Sequence, residues 1–196
     1  MAELTCGQGG SNGSQIINQI NDNTEALALL NILAQVDPRG SLRLAAEATQ
    51  TITDNSIPVL LGCFDTIVTS QNGLEPTLEG DNKATIKNTT DSTIKAILSI
   101  GLNVDFPANE TLELYAYVNG VAYSSLPLIV QGNGTDKPIS AYWESEVILN
   151  ADDVVDLRGR NADTGSYDIT YLRSTFRLTA SWREIAPLPV QPVPIP

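Results

Sequence analysis

Two hydrophobic rhythms divide the chain. Near the N-terminus Ile16, Ile20, Asn23, Leu27, Leu30 and Ala34 recur at alternating intervals of four and three, the spacing of a coiled-coil seam. This predicts a helix with Ser14 as N-cap, running to Val36 and stopped by Asp37-Pro38-Arg39-Gly40, because proline excludes the helical conformation for its predecessor. The coiled-coil element is bounded at 16–37. The same spacing would serve a helix packed on its own domain, but a single Asn inside a seam is a device for setting register and oligomer number. With Ile16, Asn23 and Leu30 at d and Ile20, Leu27 and Ala34 at a, the core residues do not choose between two strands and three.

From about Ser41 the period becomes two. Ile94, Ala96, Leu98, Ile100 and Leu102 form one alternating row, and Leu112, Leu114, Ala116 and Val118 another. Asn119-Gly120 predicts a type I′ turn into a strand over Val121–Val130. Further rows are Ile139, Ala141, Trp143, Ser145, Val147 and Leu149; then Val155 and Leu157 after a turn at Asn150–Asp153; then Phe176, Leu178, Ala180 and Trp182. Earlier strands are expected over Pro58–Thr69, with Cys63 inside the run, and over Lys83–Asn88. Seven to ten strands without a second helix predict an antiparallel β-sandwich over 41–186. Residues 1–15, rich in glycine, read as a flexible anchoring arm. The proline-rich tail 187–196 reads as extended polyproline II, reaching about 30 Å at roughly 3.1 Å per residue.

Composition narrows the function. Eleven basic against 23 acidic residues leave a net charge of −12 over 196 residues, which disfavours nucleic acid and anionic membrane as ligands. The longest apolar stretch, Pro58–Phe64, is too short to span a bilayer, and Met1–Thr5 shows no signal-peptide pattern. Cys6 and Cys63 do not make a disulfide framework, which points to synthesis in a reducing cytoplasm. There is no histidine, so Ser-His and Cys-His chemistry is excluded and the commonest metal ligand is missing. Carboxylates remain. Glu144 and Glu146 share a strand face and read as solvated; Asp152, Asp153 and Asp156 read as an exposed acidic turn without EF-hand spacing. Tyr115, Tyr117 and Tyr123, around the Asn119-Gly120 hairpin, suit either a receptor or glycan platform or an intersubunit contact. The Asn-x-Ser/Thr matches at Asn12, Asn88, Asn109 and Asn133 are given no weight.

Three segments from about Thr77 to Ile185 resemble the TNF-like jelly roll, the fold of the trimeric heads of the first complement component, found also in bacteriophage fibre and decoration proteins. They are Leu112–Tyr123, like the phage variants' central hairpin; Leu149–Arg158, similar to the family's penultimate strand; and Ser174–Ile185, in the place of its closing strand. Two departures stand out: Asp152 replaces the family's usual turn glycine, and the closing strand lacks its glycine.

The resemblance implies threefold trimers. The expectation is therefore a homotrimeric, non-enzymatic virion protein without cofactor or metal, made in the host bacterial cytoplasm. Its expected role is a head decoration or head fibre attached to the major capsid protein or another virion protein. The alternative is a small tail fibre or tip binding a host-surface glycan through Tyr115–Tyr123 and Asn161–Tyr167; a bacterial adhesin-like module is a third.

Overall fold

The computed structural model describes Thr24 and residues 38–53, 57–124, 127–133, 137–163 and 165–183. Two compact units divide the chain, Met1–Val36 and Asp37–Pro196. In the first, Thr24 is helical and exposed. The seam residues Ile16, Ile20, Asn23, Leu27, Leu30 and Ala34, together with Cys6, the arm and the tail, lie outside the described residues. Among those described, no helix is long and apolar enough to cross a membrane.

The second unit is a β-domain. Its strands are β1 (Arg39–Arg43), β2 (Ala48–Thr53), β3 (Val59–Leu60), β4 (Thr66–Gln71), β5 (Leu74–Leu78), β6 (Ala84–Asn88) and β7 (Ile94–Asp105). They continue as β8 (Thr111–Val118), β9 (Val121–Ala122), β10 (Leu128–Gln131), β11 (Ile139–Leu149), β12 (Val154–Asn161) and β13 (Ser166–Arg183). One antiparallel sheet runs β10-β8-β12-β6-β5-β4-β1-β13-β7-β11, with β2 on β13, β3 on β12 and β9 on β8. It curls at the β4–β5 hairpin, where pairing is confined to Gln71 and Leu74. The two arms thereby face each other across one core. Leu98, Ile100, Phe176 and Leu178 line it from one side and Leu112, Leu114, Val155 and Leu157 from the other, all at most 3% exposed.

Most alternating rows lie as expected. On β7 every second residue from Ile94 to Val104 is buried, and Leu112, Leu114 and Ala116 are buried on β8. Asn119 and Gly120 have φ of 52° and 77°, both positive as a type I′ turn requires. Among the described residues the other non-glycines with positive φ are Asn72, Asp81, Asn82, Asn109 and Asp152, all of the short polar type that tolerates the left-handed region. Asp152, at 67°, thus takes the turn conformation for which the jelly-roll family uses glycine.

Four expectations need correction. The run Pro58–Thr69 is not one strand: Cys63 lies buried in a loop between β3 and β4. The amides there find scattered acceptors, Leu61 on Leu157 O, Gly62 on Gln50 Oε1 and Phe64 on Asn82 O, so no ladder forms. Val121–Val130 breaks into β9 and β10, since Pro127 has no N–H to continue the ladder. The sheet begins at Arg39, where a helix stop was expected; Gly40 meets β6 so closely that an added Cβ would lie 2.8 Å from Ile86 Cγ2. The last strand is far longer than Phe176–Trp182, because its first half pairs with β2 and its second with β7 and β1. A register shift falls between Ala180 and Trp182, and the Trp182 side chain lies outside the described residues. In β5, Pro76 is tolerated because that strand is fully paired only with β6.

Candidate functional site

The tyrosine region becomes a ladder on the outer face of β8 and β12. Registers Tyr117↔Asp156, Tyr115↔Arg158 and Glu113↔Arg160 place six side chains of alternating parity on one surface. Arg158 donates from Nε and Nη2 to the two carboxylate oxygens of Asp156 at 2.8 and 2.9 Å, and its guanidinium lies 4.3 Å from the Tyr117 ring centroid. One step along, Arg160 Nε donates to Glu113 Oε2 and its guanidinium lies 5.6 Å from the Tyr115 ring centroid. Tyr115 OH donates to Glu113 Oε2 at 2.7 Å, and the two tyrosines meet edge to face, centroids 6.5 Å apart.

The electrostatics follow from this packing. Desolvation pushes the Glu113 carboxyl up, but the hydrogen bonds from Tyr115 and Arg160 and the Arg160 charge outweigh it, so it sits below the usual range. Burial and then Glu113 push the Tyr115 phenol up. Hydrogen bonds to Asp156 and Glu113 respectively raise Arg158 and Arg160 further. The rings of Tyr115 and Tyr117 are therefore not a bare stacking platform, since each is engaged by an arginine. Tyr123 stands apart, 41% exposed after the hairpin.

Asp156 was expected in an exposed acidic turn, but it is 7% exposed and paired to Arg158. Asp152 instead pairs with Lys87 at 2.7 Å, and Asp153 accepts from Asn119 Nδ2 and Asn150 N. The three carboxylates have separate partners. Among the described residues no group of three or more His, Cys, Asp or Glu side chains is arranged to hold a metal. Glu144 and Glu146 are exposed, accepting from Ser99 Oγ at 3.0 Å and pairing with Lys95 at 2.7 Å. Burial pushes the Cys63 thiol far above its ordinary range, leaving it neutral.

Asn88, marked in the sequence only by an Asn-x-Thr match, is a structural hub. Wholly buried, it donates from Nδ2 to the carbonyls of Ser92, Leu149 and Asn150 and accepts on Oδ1 from the Thr90 amide and hydroxyl. This stitches the turn before β7 to the turn after β11 and leaves no room for a glycan.

A second surface has the opposite character. β11 ends the sheet, and no described strand pairs with its outer side. Its inward row is covered only at Val147 and Leu149; Ile139, Ala141 and Trp143 pack against the core but remain half-exposed. Its outward row carries Tyr142 at 66% and Ile148 at 57% exposure. The other end strand, β10, comes near it but spans only four residues, with Ile129 also exposed. An eleven-residue edge strand that no described strand pairs on its outer side, with apolar side chains on both faces, is a surface that proteins ordinarily cover.

No protein-family profile matches the chain, and no curated protein matches it. Among solved structures it is similar to the Eiger TNF of S. frugiperda, at 12% identity and a TM-score of 0.50, covering 76% of this chain and 97% of that one. A second match is the globular domain of the zebrafish complement 1qA protein, at 12% identity and a TM-score of 0.42, covering 76% and 99%. The likeness to the TNF gives the β-domain its fold class: a TNF-like jelly roll.

Proposed function

We propose that the chain is a self-associating structural protein of a bacteriophage particle, a homotrimer that decorates or projects from the head through the major capsid protein or another virion protein. The observation that carries self-association is the β10–β11 edge, where Trp143, Ile139 and Ala141 are half-covered beside exposed Tyr142 and Ile148. A second copy packed there would remove apolar surface from water and block unwanted strand addition. The seam from Ile16 to Ala34 supports the same state, as does the trimeric habit implied by the sequence resemblance. Such a protein acts by adding contact area, and three-point attachment turns weak contacts into firm binding.

Light scattering on the purified chain tests the assembly: about three times the 21.0 kDa protomer mass is expected, and a monomer at micromolar concentration overturns it. Leu27→Asp should loosen the seam, because three charges would meet in an apolar core. Electron microscopy of particles with and without the protein tests its place. Density on the capsid supports decoration, whereas density at the tail tip supports a second reading, a receptor-binding tip. That reading is favoured by one feature, the exposed Val121 and Tyr123 at the end of the β8–β9 hairpin.

A further inference from the structure

At the end of the sandwich where β7 passes to β8 and β12 passes to β13, three oxygens are buried without a hydrogen-bond partner: Glu110 Oε2, Asp163 Oδ2 and Tyr167 OH. The backbone brings their loops together. Ala162 N donates to Thr111 O at 2.9 Å, setting Ala162 and its neighbour Asp163 beside the start of β8. Glu110 is held from both sides, its carbonyl accepting from Gly132 N at 2.8 Å and its amide donating to Pro107 O. The turn bearing Asp163 is folded by Asn161, which accepts from the Asp163 amide and donates to Gly165 O. Tyr167 is 6% exposed and stacks on Phe106 with centroids 5.5 Å apart and planes at 17°, so its ring cannot swing to solvent without losing that packing. Burial first, and then the charges of Glu110 and Asp163, push its hydroxyl well above the ordinary phenol range.

Unlike the ladder carboxylates, neither Glu110 nor Asp163 takes part in an ion pair among the described residues. Two half-buried carboxylates on adjoining loops, each with a buried oxygen that finds no hydrogen bond, are costly unless a cation joins them. The donors are all oxygen, with no histidine in the chain and the described cysteine, Cys63, sealed in the core. That excludes a zinc-type site. Two carboxylates neutralise one divalent ion, and their irregular loop setting suits the tolerant coordination of calcium better than the strict octahedron of magnesium.

We propose that Glu110, Asp163 and Tyr167 form a binding site for a hard divalent cation of the calcium class, joining the 106–110 loop to the chain at Asp163. The site is independent of the assembly reading. With only two carboxylate ligands its affinity falls in the weak range of extracellular modules, roughly 10⁻⁴–10⁻³ M.

The test uses the full chain freed of metal by chelator and gel filtration. Terbium is titrated with emission excited through tyrosine, calcium is the competitor, and thermal melting is followed with and without calcium. Saturable emission displaced by calcium is expected, with a rise in Tm of about 3 °C at tenfold excess over Kd. Asp163→Asn and Glu110→Gln should each weaken binding at least tenfold, whereas the exposed pair Glu144→Gln with Glu146→Gln should leave it unchanged. Without calcium the Glu110→Gln and Asp163→Asn variants should melt no lower than the parent, since they remove uncompensated charge. Absence of saturable, calcium-displaceable emission from the parent up to about 10 mM calcium overturns the proposal, a reading that needs no variant to fold. Equal binding by Asp163→Asn and by the parent overturns it as well.

Discussion

The outer face of β8–β12 and the edge at β11 are both surfaces of one sheet, yet they stand in opposite states. On the first, Asp156, Arg158 and Tyr117, then Glu113, Arg160 and Tyr115, satisfy one another within the chain. On the second, Ile139, Ala141 and Trp143 are half-covered and no described strand pairs with the outer side of β11. Aromatic residues alone do not mark a contact surface. What marks it is unfinished burial and unfinished hydrogen bonding, and these coincide at the end strand.

The comparison breaks most sharply at Trp143. Trp143→Glu should reduce the assembly to protomers, a threefold fall in mass by light scattering, while far-UV circular dichroism stays that of a β-domain. Tyr142→Glu, at an outward position where folding cost is small, should weaken association in the same direction. Tyr117→Ala should leave the mass unchanged. A trimer that survives both edge changes would move the interface elsewhere.

Core positions under the two surfaces should separate next. Leu114→Ala, beneath the ladder and 3% exposed, should cost roughly 2–5 kcal/mol by chemical denaturation. Ile139→Ala should cost about 1 kcal/mol in the Trp143→Glu background, because its side chain is only half-covered there. Equal costs would mean that the edge is already sealed within one protomer.

A smaller effect is expected within the ladder. Arg158→Ala leaves Asp156 buried without its partner and uncovers Tyr117, which should cost about 2 kcal/mol without altering assembly.

The smallest effect is in pH. Glu113 is held below its ordinary range by Tyr115 and Arg160, against the desolvation that would raise it. Asp65 is likewise held low by the Thr66 hydroxyl and the Ala45 and Ala46 amides, again against desolvation. A depressed folded-state value means that the stability these groups contribute is present above the ordinary carboxylate range. It is lost as pH falls through that range and below it. Melting temperature should therefore drop on acidification, and Arg160→Met should shrink the drop by returning Glu113 towards ordinary behaviour. An unchanged acid profile in that variant would show that the ladder contributes no linkage.

How much of this was legible in the chain depends on the range of the interaction that decides each feature. The rows at Ile94–Leu102, Leu112–Ala116 and Phe176–Ala180 announce their buried faces, since alternation is a property of a single strand. Asn119-Gly120 and Asp152 announce their turns, since left-handed backbone is a local steric matter. The β-domain was readable from these rows and turns, and its sandwich class from their number, whereas the TNF-like likeness rested on the resemblance of Leu112–Tyr123, Leu149–Arg158 and Ser174–Ile185 to a known family. Tertiary structure decided the rest. Whether Asp156 is a solvated turn residue or a buried partner of Arg158 depends on β8 lying beside β12, which no local pattern states. The break at Cys63 follows from amides drawn to Leu157, Gln50 and Asn82, residues distant along the chain. The row Ile139–Leu149 has the same period whether its strand is central or terminal; only strand order leaves Trp143 half-covered. Glu110, Asp163 and Tyr167 carry no motif, because what unites them is the convergence of two loops at one end of a folded sheet.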